Sequence, residues 1–518
     1  MVTRGGMVHA GWGDPARRTG LPPAAAAWLT DRVGRGTPSR PVPLGGVQVP
    51  PSRLTAEDRA ALQATGAQVL LDDADRALHA AGRSYTDLLA LRSGSFPAPD
   101  AVLLPAADQV GDVLAACAAL GVAVVPFGGG TSVVGGVSPL AGGHRAVVAL
   151  DLRRLDQLLS LSETDLTAEL EPGLRGPEAE ALLNARGFTL GHFPQSYEHA
   201  TIGGYAATRS AGQASTGYGR FDANVLGLTV VTPAGQLRLG RGAATAAGPS
   251  LLGLIVGSEG AFGIITSVTM RIRPLPAVKR YDAWLVRSWE DGHAQLRHLE
   301  QSGIAPDVAR LSDTGETTVT LRMGAPRAVQ LLGRGRCLLV LGWEGTAASV
   351  SARRRAAHVR GLRLPGAGTT WEHGRYAGPY LRDDLMDAGF LVETFETSAS
   401  WSSLTTVWSA VREAVEGALG ACVVMCHVSH LYTQGASLYF TVLAAAGDDP
   451  AAQWQRAKRA ASDALVAAGA TITHHHAVGT DHRPWMTDEI GPLGVAALQA
   501  VKDVLDPAGI LNPGKLLP

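Results

Sequence analysis

Thr471-Ile472-Thr473-His474-His475-His476-Ala477-Val478-Gly479 sets three imidazoles side by side in an apolar stretch. Imidazole changes charge near neutral pH, so such a cluster can move protons or ligate a metal. Read as a strand, it points His474 and His476 to one face and His475 to the other. A second candidate, Gly435-Ala436-Ser437-Leu438-Tyr439-Phe440-Thr441-Val442, alternates with period two. Leu438, Phe440 and Val442 take the core face and leave Ser437, Tyr439 and Thr441 on the other. A strand tyrosine is ordinarily packing, but its phenol can also act as acid or base. Cys422, Cys426, His427 and His430 offer further metal ligands. Strand periodicity puts 422, 426 and 430 on one face and 427 on the opposite one. The spacing is not that of a zinc motif, and no local carboxylate pair completes a site, so no metal is assigned.

Ala123-Val124-Val125-Pro126-Phe127-Gly128-Gly129-Gly130-Thr131-Ser132-Val133-Val134-Gly135-Gly136 is a strand that stops and becomes a bare loop. Such a loop can bring successive N–H groups to a phosphate, or it can be a glycine-rich hairpin. It lacks the Gly-Lys-Ser/Thr ending of a P-loop, and Val133 stands where a dinucleotide fingerprint needs its last glycine. Two more glycine-punctuated passages follow, GHFPQSYEHATIGGYAATRSAGQASTGYGR from Gly191 to Arg220 and GSEGAFGIIT from Gly257 to Thr266.

The elements that must carry these residues form two lobes. Residues 1–95, rich in Pro, Gly and Arg, suggest an N-terminal extension with helical patches near Ala56–Leu71 and Tyr85–Leu91. From residue 96 to 276, short strands (Val122–Val125, Val147–Leu152, Thr167–Glu171, Leu226–Thr232, Gly263–Ile272) alternate with helices at Ala107–Leu120 and Pro177–Ala185. Pro274-Leu275-Pro276 marks a boundary, because proline interrupts both helix and sheet. Residues 277–473 form a second lobe, with strands near Asp307–Leu311, Cys337–Gly342 and Ser437–Leu443 and helices at Ala347–His358, Leu404–Leu419 and Ala451–Ala468. Residues 474–518 form a C-terminal segment. The fold class is α+β.

With 45 basic and 46 acidic side chains in 518 residues, the net charge of -1 provides no field for a nucleic acid backbone. Four scattered cysteines fit a reducing compartment rather than a disulfide framework. No apolar run reaches the roughly 18 residues of a membrane span. Arg17-Arg18 precedes only a short apolar stretch closed by Asp31-Arg32, so a cytoplasmic protein is expected.

The three glycine-punctuated segments, in this order, resemble the FAD-binding domain of the vanillyl-alcohol-oxidase (PCMH-type) flavoproteins. The resemblance implies a two-lobed architecture, a PCMH-type FAD-binding domain followed by an α+β cap that holds the substrate. The first loop would hold the pyrophosphate, and the other two would line the flavin and adenine. It puts FAD on Pro126, Phe127, Gly128, Gly129, Gly130, Thr131 and Ser132, and on Gln195, Ser196, His199, Ala200, Thr201, Gly204, Thr208, Arg209, Ser210 and Ala211. Glu259, Gly260, Gly263, Ile264 and Ile265 complete the set. No histidine or cysteine lies in Gly128–Ser132, so the flavin is expected to be non-covalent.

PFGGGTS, GHFPQSYEHATIGGYAATRSAG, GSEGAFGIIT, GFLVETFETSASW, GASLYF, THHHAVG and the terminal DPAGILNPGK together resemble the alkyldihydroxyacetonephosphate synthase family from about residue 10 onward. That family exchanges the acyl chain of acyl-dihydroxyacetone phosphate for a fatty alcohol, through capture of the substrate carbon at flavin N5. The resemblance makes Tyr439 the acid/base, with a pKa lowered by nearby cations, and His474, His475 and His476 essential. It puts Arg382 on the substrate phosphate and makes Arg310 a second required arginine. Thr480-Asp481-His482-Arg483 departs from the basic run that the animal enzymes carry there. An FAD-dependent 2-hydroxyacid or alcohol dehydrogenase and a non-catalytic flavin-binding protein are the alternatives. The implied partner is a small lipid substrate; a peripheral membrane contact and a homodimer stay open.

Overall fold

The computed structural model describes residues 6–518. Its first sheet has the order β1-β2-β4-β3, built from β1 (Gln68–Leu70), β2 (Ala101–Leu104), β3 (Val122–Phe127) and β4 (Ala146–Asp151). β2, β4 and β3 run parallel, and their Val- and Leu-rich sequences are buried except at Pro126, as parallel strands covered on both faces must be. A second, antiparallel sheet has the order β5-β6-β10-β8-β9, with β5 (Leu158–Ser162), β6 (Thr167–Leu170), β8 (Val225–Thr232), β9 (Gly235–Leu239) and β10 (Ile264–Arg271). The short pair β7 (Phe188–Thr189) and β11 (Arg273–Pro274) closes this lobe where the prolines interrupt the chain.

The N-terminal stretch is woven into both lobes rather than appended to one. β1 pairs antiparallel with β2, and Leu62 of the helix Ala56–Ala64 packs with Val110, Val113 and Leu114. Tyr85 and Leu88 join the core of the other lobe. Arg92 and Arg18 tie to Asp383 and Asp384 at 3.1 and 2.7 Å. The Pro- and Arg-rich composition conceals this because the contacts are long-range and carry no period.

The cap is a seven-stranded antiparallel sheet, β15-β12-β14-β13-β17-β18-β16. Its strands are β12 (Val278–Val286), β13 (Val308–Ser312), β14 (Cys337–Gly345), β15 (Leu362–Arg363), β16 (Phe390–Ser400), β17 (Cys422–Tyr432) and β18 (Gly435–Ala445). Helices Leu404–Leu419 and Pro450–Ala467 cover one face, where Val407, Val411, Trp454 and Leu465 pack with Phe395, Phe440 and Val442. The opposite face looks onto the first lobe. The C-terminal tail returns there: Val124 donates to Ile510 O and Asn512 donates to Val124 O, both at 2.8 Å. This adds the tail to the free edge of β3.

Candidate active site

A cavity of about 630 Å³ runs between the glycine loop and the open face of the cap sheet. Its floor is Pro126–Ser132. A methyl group on Gly129 would lie 2.1 Å from His199 O, and Gly130, at φ 64, would put one 2.7 Å from the Phe127 ring. The loop is therefore bare backbone by necessity. Gln195, Ser196, Ala200, Thr201, Gly204, Thr208, Ser210 and Ala211 line the same cavity with Glu259, Gly260, Gly263, Ile264 and Ile265. A side-chain-free cradle with hydroxyl and amide groups around it fits FAD.

Two residues expected at the cofactor do not line this cavity. His199 lies outside the cavity, with its ring edge-on to Trp12 at 5.3 Å. Arg209 caps the helix Ile202–Thr208 at φ 50 and donates to Val256 O and Gly253 O at 2.9 and 3.0 Å. It ties two cofactor segments together. Glu259 accepts from the N–H groups of Val478 and Gly479, both at 2.8 Å, and so anchors the histidine segment to the first lobe. Burial raises its pKa to about 7 against those hydrogen bonds and the Lys515 charge.

The histidine segment is not a strand. It is a bent loop closed around the fully buried carboxylate of Glu396 on β16. Glu396 accepts from His474 N (2.5 Å), His475 N (3.2 Å), His476 N (2.8 Å) and Thr473 Oγ1 (2.6 Å). Burial opposes its charge, but these donors and the surrounding histidines hold its pKa well below the usual carboxylate range. A carboxylate that draws in three consecutive N–H groups cannot leave the chain extended. Strand alternation therefore fails: His475 and His476 both face the cavity, and His474 lies behind them. Burial lowers the pKa of all three, that of His476 to about 3, so their imidazoles are neutral at pH 7.

Tyr439 lies on the cavity face of β18, with Leu438, Phe440 and Val442 buried behind it. Its hydroxyl donates to Thr394 Oγ1 at 3.0 Å. Its ring stacks on His427 at 4.9 Å and meets His476 edge-on at 5.5 Å. The expected lowering of its pKa does not occur in this arrangement. Burial raises it to about 12, and Glu393 and Glu396 add to the rise, while Thr394 and Arg382 work against it. Desolvation outweighs the single cation within range.

The two arginines differ. Arg382 lines the cavity, donates from Nη1 to Arg83 O at 2.7 Å and lies 4.0 Å from Glu393; its buried Nε has no hydrogen-bond partner among the described residues. Arg310 is bound to Glu316 at 2.5 Å and meets His427 Nε2 at 3.0 Å. It also lines the cavity, in a network with Glu316 and His427 beside Tyr439.

Residues 99–240 match the family model described as FAD binding domain, and residues 275–516 match FAD linked oxidases, C-terminal domain. The alkyldihydroxyacetonephosphate synthase of Trypanosoma brucei brucei is 33% identical over 482 residues, 87% of this chain and 78% of the relative. That of Dictyostelium discoideum is 31% identical, over 86% and 78%. The chain belongs to the alkyldihydroxyacetonephosphate synthase family. A solved alkyldihydroxyacetonephosphate synthase superposes with a TM-score of 0.83 at 26% identity and covers all of both chains.

Within this synthase fold, sequence reasoning passed over three residues at the site. Glu396 was visible only as a letter in GFLVETFETSASW; its contacts are 77 to 80 positions away. His427 was weighed only as a metal ligand and instead links Arg310 to Tyr439. Lys458 is buried in the helix Pro450–Ala467, with its Nζ 5.5 Å from the Phe395 ring and 2.6 Å from His482 Nε2. His482 Nδ1 in turn meets Ala477 O at 2.7 Å. Lys458 thus supports the histidine loop from beneath. Strand periodicity puts His430 on one face with Cys422 and Cys426. A bulge between Ser429 and Leu431 gives it φ 53 and turns it to the cavity.

Proposed function

We propose that this protein is an FAD-dependent enzyme that converts acyl-dihydroxyacetone phosphate and a fatty alcohol to alkyl-dihydroxyacetone phosphate and a fatty acid. The observation that carries this reading is a single cavity joining the bare glycine cradle to Tyr439, His475, His476 and Arg382. A further arm of that cavity is apolar, lined by Leu29, Val319, Met323, Leu381, Leu385 and Val392, and suits long alkyl chains. FAD would bind without a covalent link across Pro126–Ser132 and the segments containing Thr201 and Gly260. Bound there, it supplies an electron-accepting ring that allows the exchange without net redox change.

The chain's own residues supply the rest. Arg382 would offer its unpartnered edge to the substrate phosphate, which positions C1 for reaction. Tyr439, neutral because it is desolvated, would carry a proton between C1 and the neutral imidazoles beside it. His427, flat against the phenol and hydrogen-bonded to Arg310, would keep that ring in place. Glu396 would hold His475 and His476 at the cavity wall. The test is to incubate the protein with FAD, acyl-dihydroxyacetone phosphate and a labelled fatty alcohol. Labelled ether product is expected, and its absence overturns the assignment.

Among the described residues no helix is long and apolar enough to cross a membrane. We propose instead a peripheral contact at the helix Arg327–Leu332. There Leu331 and Leu332 are 55% and 50% exposed beside Arg327, Arg334 and Arg336, close to the helix Thr314–Gly324 that lines the apolar arm.

A further inference from the structure

A chain of hydrogen bonds leads away from the cavity, from two histidines that the family resemblance makes essential to a tyrosine and an arginine to which it assigns no part. His475, at the cavity wall, meets His474 with the two Nδ1 atoms 2.9 Å apart. The other nitrogen of His474, Nε2, is 2.6 Å from the Tyr432 hydroxyl. Tyr432 is half-buried at the end of β17, and its hydroxyl is hydrogen-bonded by Arg220. Arg220 is in turn held by Asp222 at 3.0 and 3.1 Å, and its side chain is 21% exposed. The sequence runs from a wall residue through a buried ring to a partly solvated phenol.

The neighbours leave this the continuous route. His430 packs against both histidines at 5.1 Å, but its Nδ1 is tied to Ser215 Oγ at 2.6 Å. Glu396 is already saturated by backbone donors and lies 3.7 Å from His475 Nδ1. Because burial keeps both imidazoles neutral, each has one nitrogen to give a proton and one to receive it.

We propose that His475, His474 and Tyr432 form a proton exit between the cavity and solvent, with Arg220 as its positioning residue. This inference rests on the alkyl-exchange reading, in which a proton leaves C1 and later returns. A proton received at His475 Nε2 displaces the one on His475 Nδ1 to His474 Nδ1. The proton on His474 Nε2 passes to the Tyr432 oxygen while that hydroxyl gives its own proton to water. One proton enters and one leaves, and each group is neutral before and after. The reverse passage restores the tautomers when C1 is reprotonated. Arg220 donates to the Tyr432 oxygen and so turns the phenolic hydrogen toward solvent or His474.

The experiment uses the FAD-loaded full chain and acyl-dihydroxyacetone phosphate deuterated at C1, in ordinary water. Ether product and its retained deuterium are measured together. Wild type is expected to lose label from one C1 position in each turnover. Tyr432→Phe is expected to form ether product with bound flavin intact but to lose about tenfold less label per turnover. Millimolar imidazole should restore the loss, which a merely structural role would not allow. Arg220→Gln should shift the ratio in the same direction and carries the test if Tyr432→Phe fails to fold. Label loss per turnover equal to wild type in the folded variants overturns the exit. So does one tightly bound metal per chain that disappears in His430→Ala, since the nitrogens of His430, His474 and His475 lie within 4.8 Å and a metal there would occupy the route. Absence of ether product in wild type overturns the alkyl-exchange reading instead.

Discussion

Glu396 and Tyr439 are direct cross-strand partners on β16 and β18. Their side chains share one face of the cap sheet. One grips the backbone of the histidine loop, and the other presents its phenol to the rings that loop carries. Geometry between acid/base phenol and imidazoles is thus set by a rigid sheet rather than by the loop itself.

Tyr439→Phe removes a hydroxyl whose only hydrogen-bond partner among the described residues is Thr394, so fold and flavin content should persist. Ether formation should fall by about 10²–10⁴-fold, the range of a lost acid/base group. Exchange of C1 hydrogen with heavy water, followed by NMR, should stop as well. Undiminished exchange would assign the proton step to the histidines alone. A wild-type-minus-variant difference spectrum should place phenol ionisation near pH 12, as burial requires.

Arg382→Ala should raise KM for acyl-dihydroxyacetone phosphate while flavin content stays unchanged. A charge-assisted contact is worth about 1.5–3 kcal/mol, or roughly 10- to 100-fold. Equal loss with a phosphate-free analogue would show that the guanidinium serves another purpose.

Glu396→Gln replaces an all-acceptor carboxylate with an amide that faces four donors. Destabilisation of about 2 kcal/mol is expected, with loss of activity larger than the loss of stability explains. Circular dichroism melting and steady-state turnover check both. Full activity with a lowered melting temperature would reduce Glu396 to a structural staple.

Glu316 predicts the acid limb of stability. Burial raises its pKa, but Arg310 and His427 outweigh this and bring it to about 2, below the ordinary 4.5. A group with a depressed folded pKa stabilises above its unfolded value and loses that contribution as pH falls through the folded one. Stability should therefore decline between about pH 4.5 and 2, by on the order of 3 kcal/mol from this group. Glu316→Gln should flatten that decline in denaturant titrations. An unchanged slope would rule the carboxylate out as its source.

Leu331→Asp with Leu332→Asp should reduce co-sedimentation with anionic vesicles severalfold and leave the flavin spectrum as in wild type. Retained binding would place the membrane contact on another surface. Acid precipitation should release FAD into the supernatant, since the Gly128–Ser132 loop carries neither histidine nor cysteine. Flavin remaining on the polypeptide would refute a non-covalent cofactor.

Local pattern alone was enough for most elements and for the bare glycine loop, while the family resemblance was what made that loop an FAD cradle. Leu404–Leu419 was expected at the bounds observed, because its apolar positions repeat with the helical period. The alternation of Leu438, Phe440 and Val442 placed Tyr439 on the open face, because a strand leaves its side chains no other choice. The bare Gly128–Gly130 loop was legible for the same local reason. What only tertiary structure decided were contacts over large sequence separations. Glu396 bends the histidine segment and cancels its expected strand, β1 pairs into the first sheet, and a bulge turns His430 to the cavity. The charge state of Tyr439 belongs with these: proximity to cations was readable from motifs, but the depth of burial that overrides them exists only once the sheet is covered.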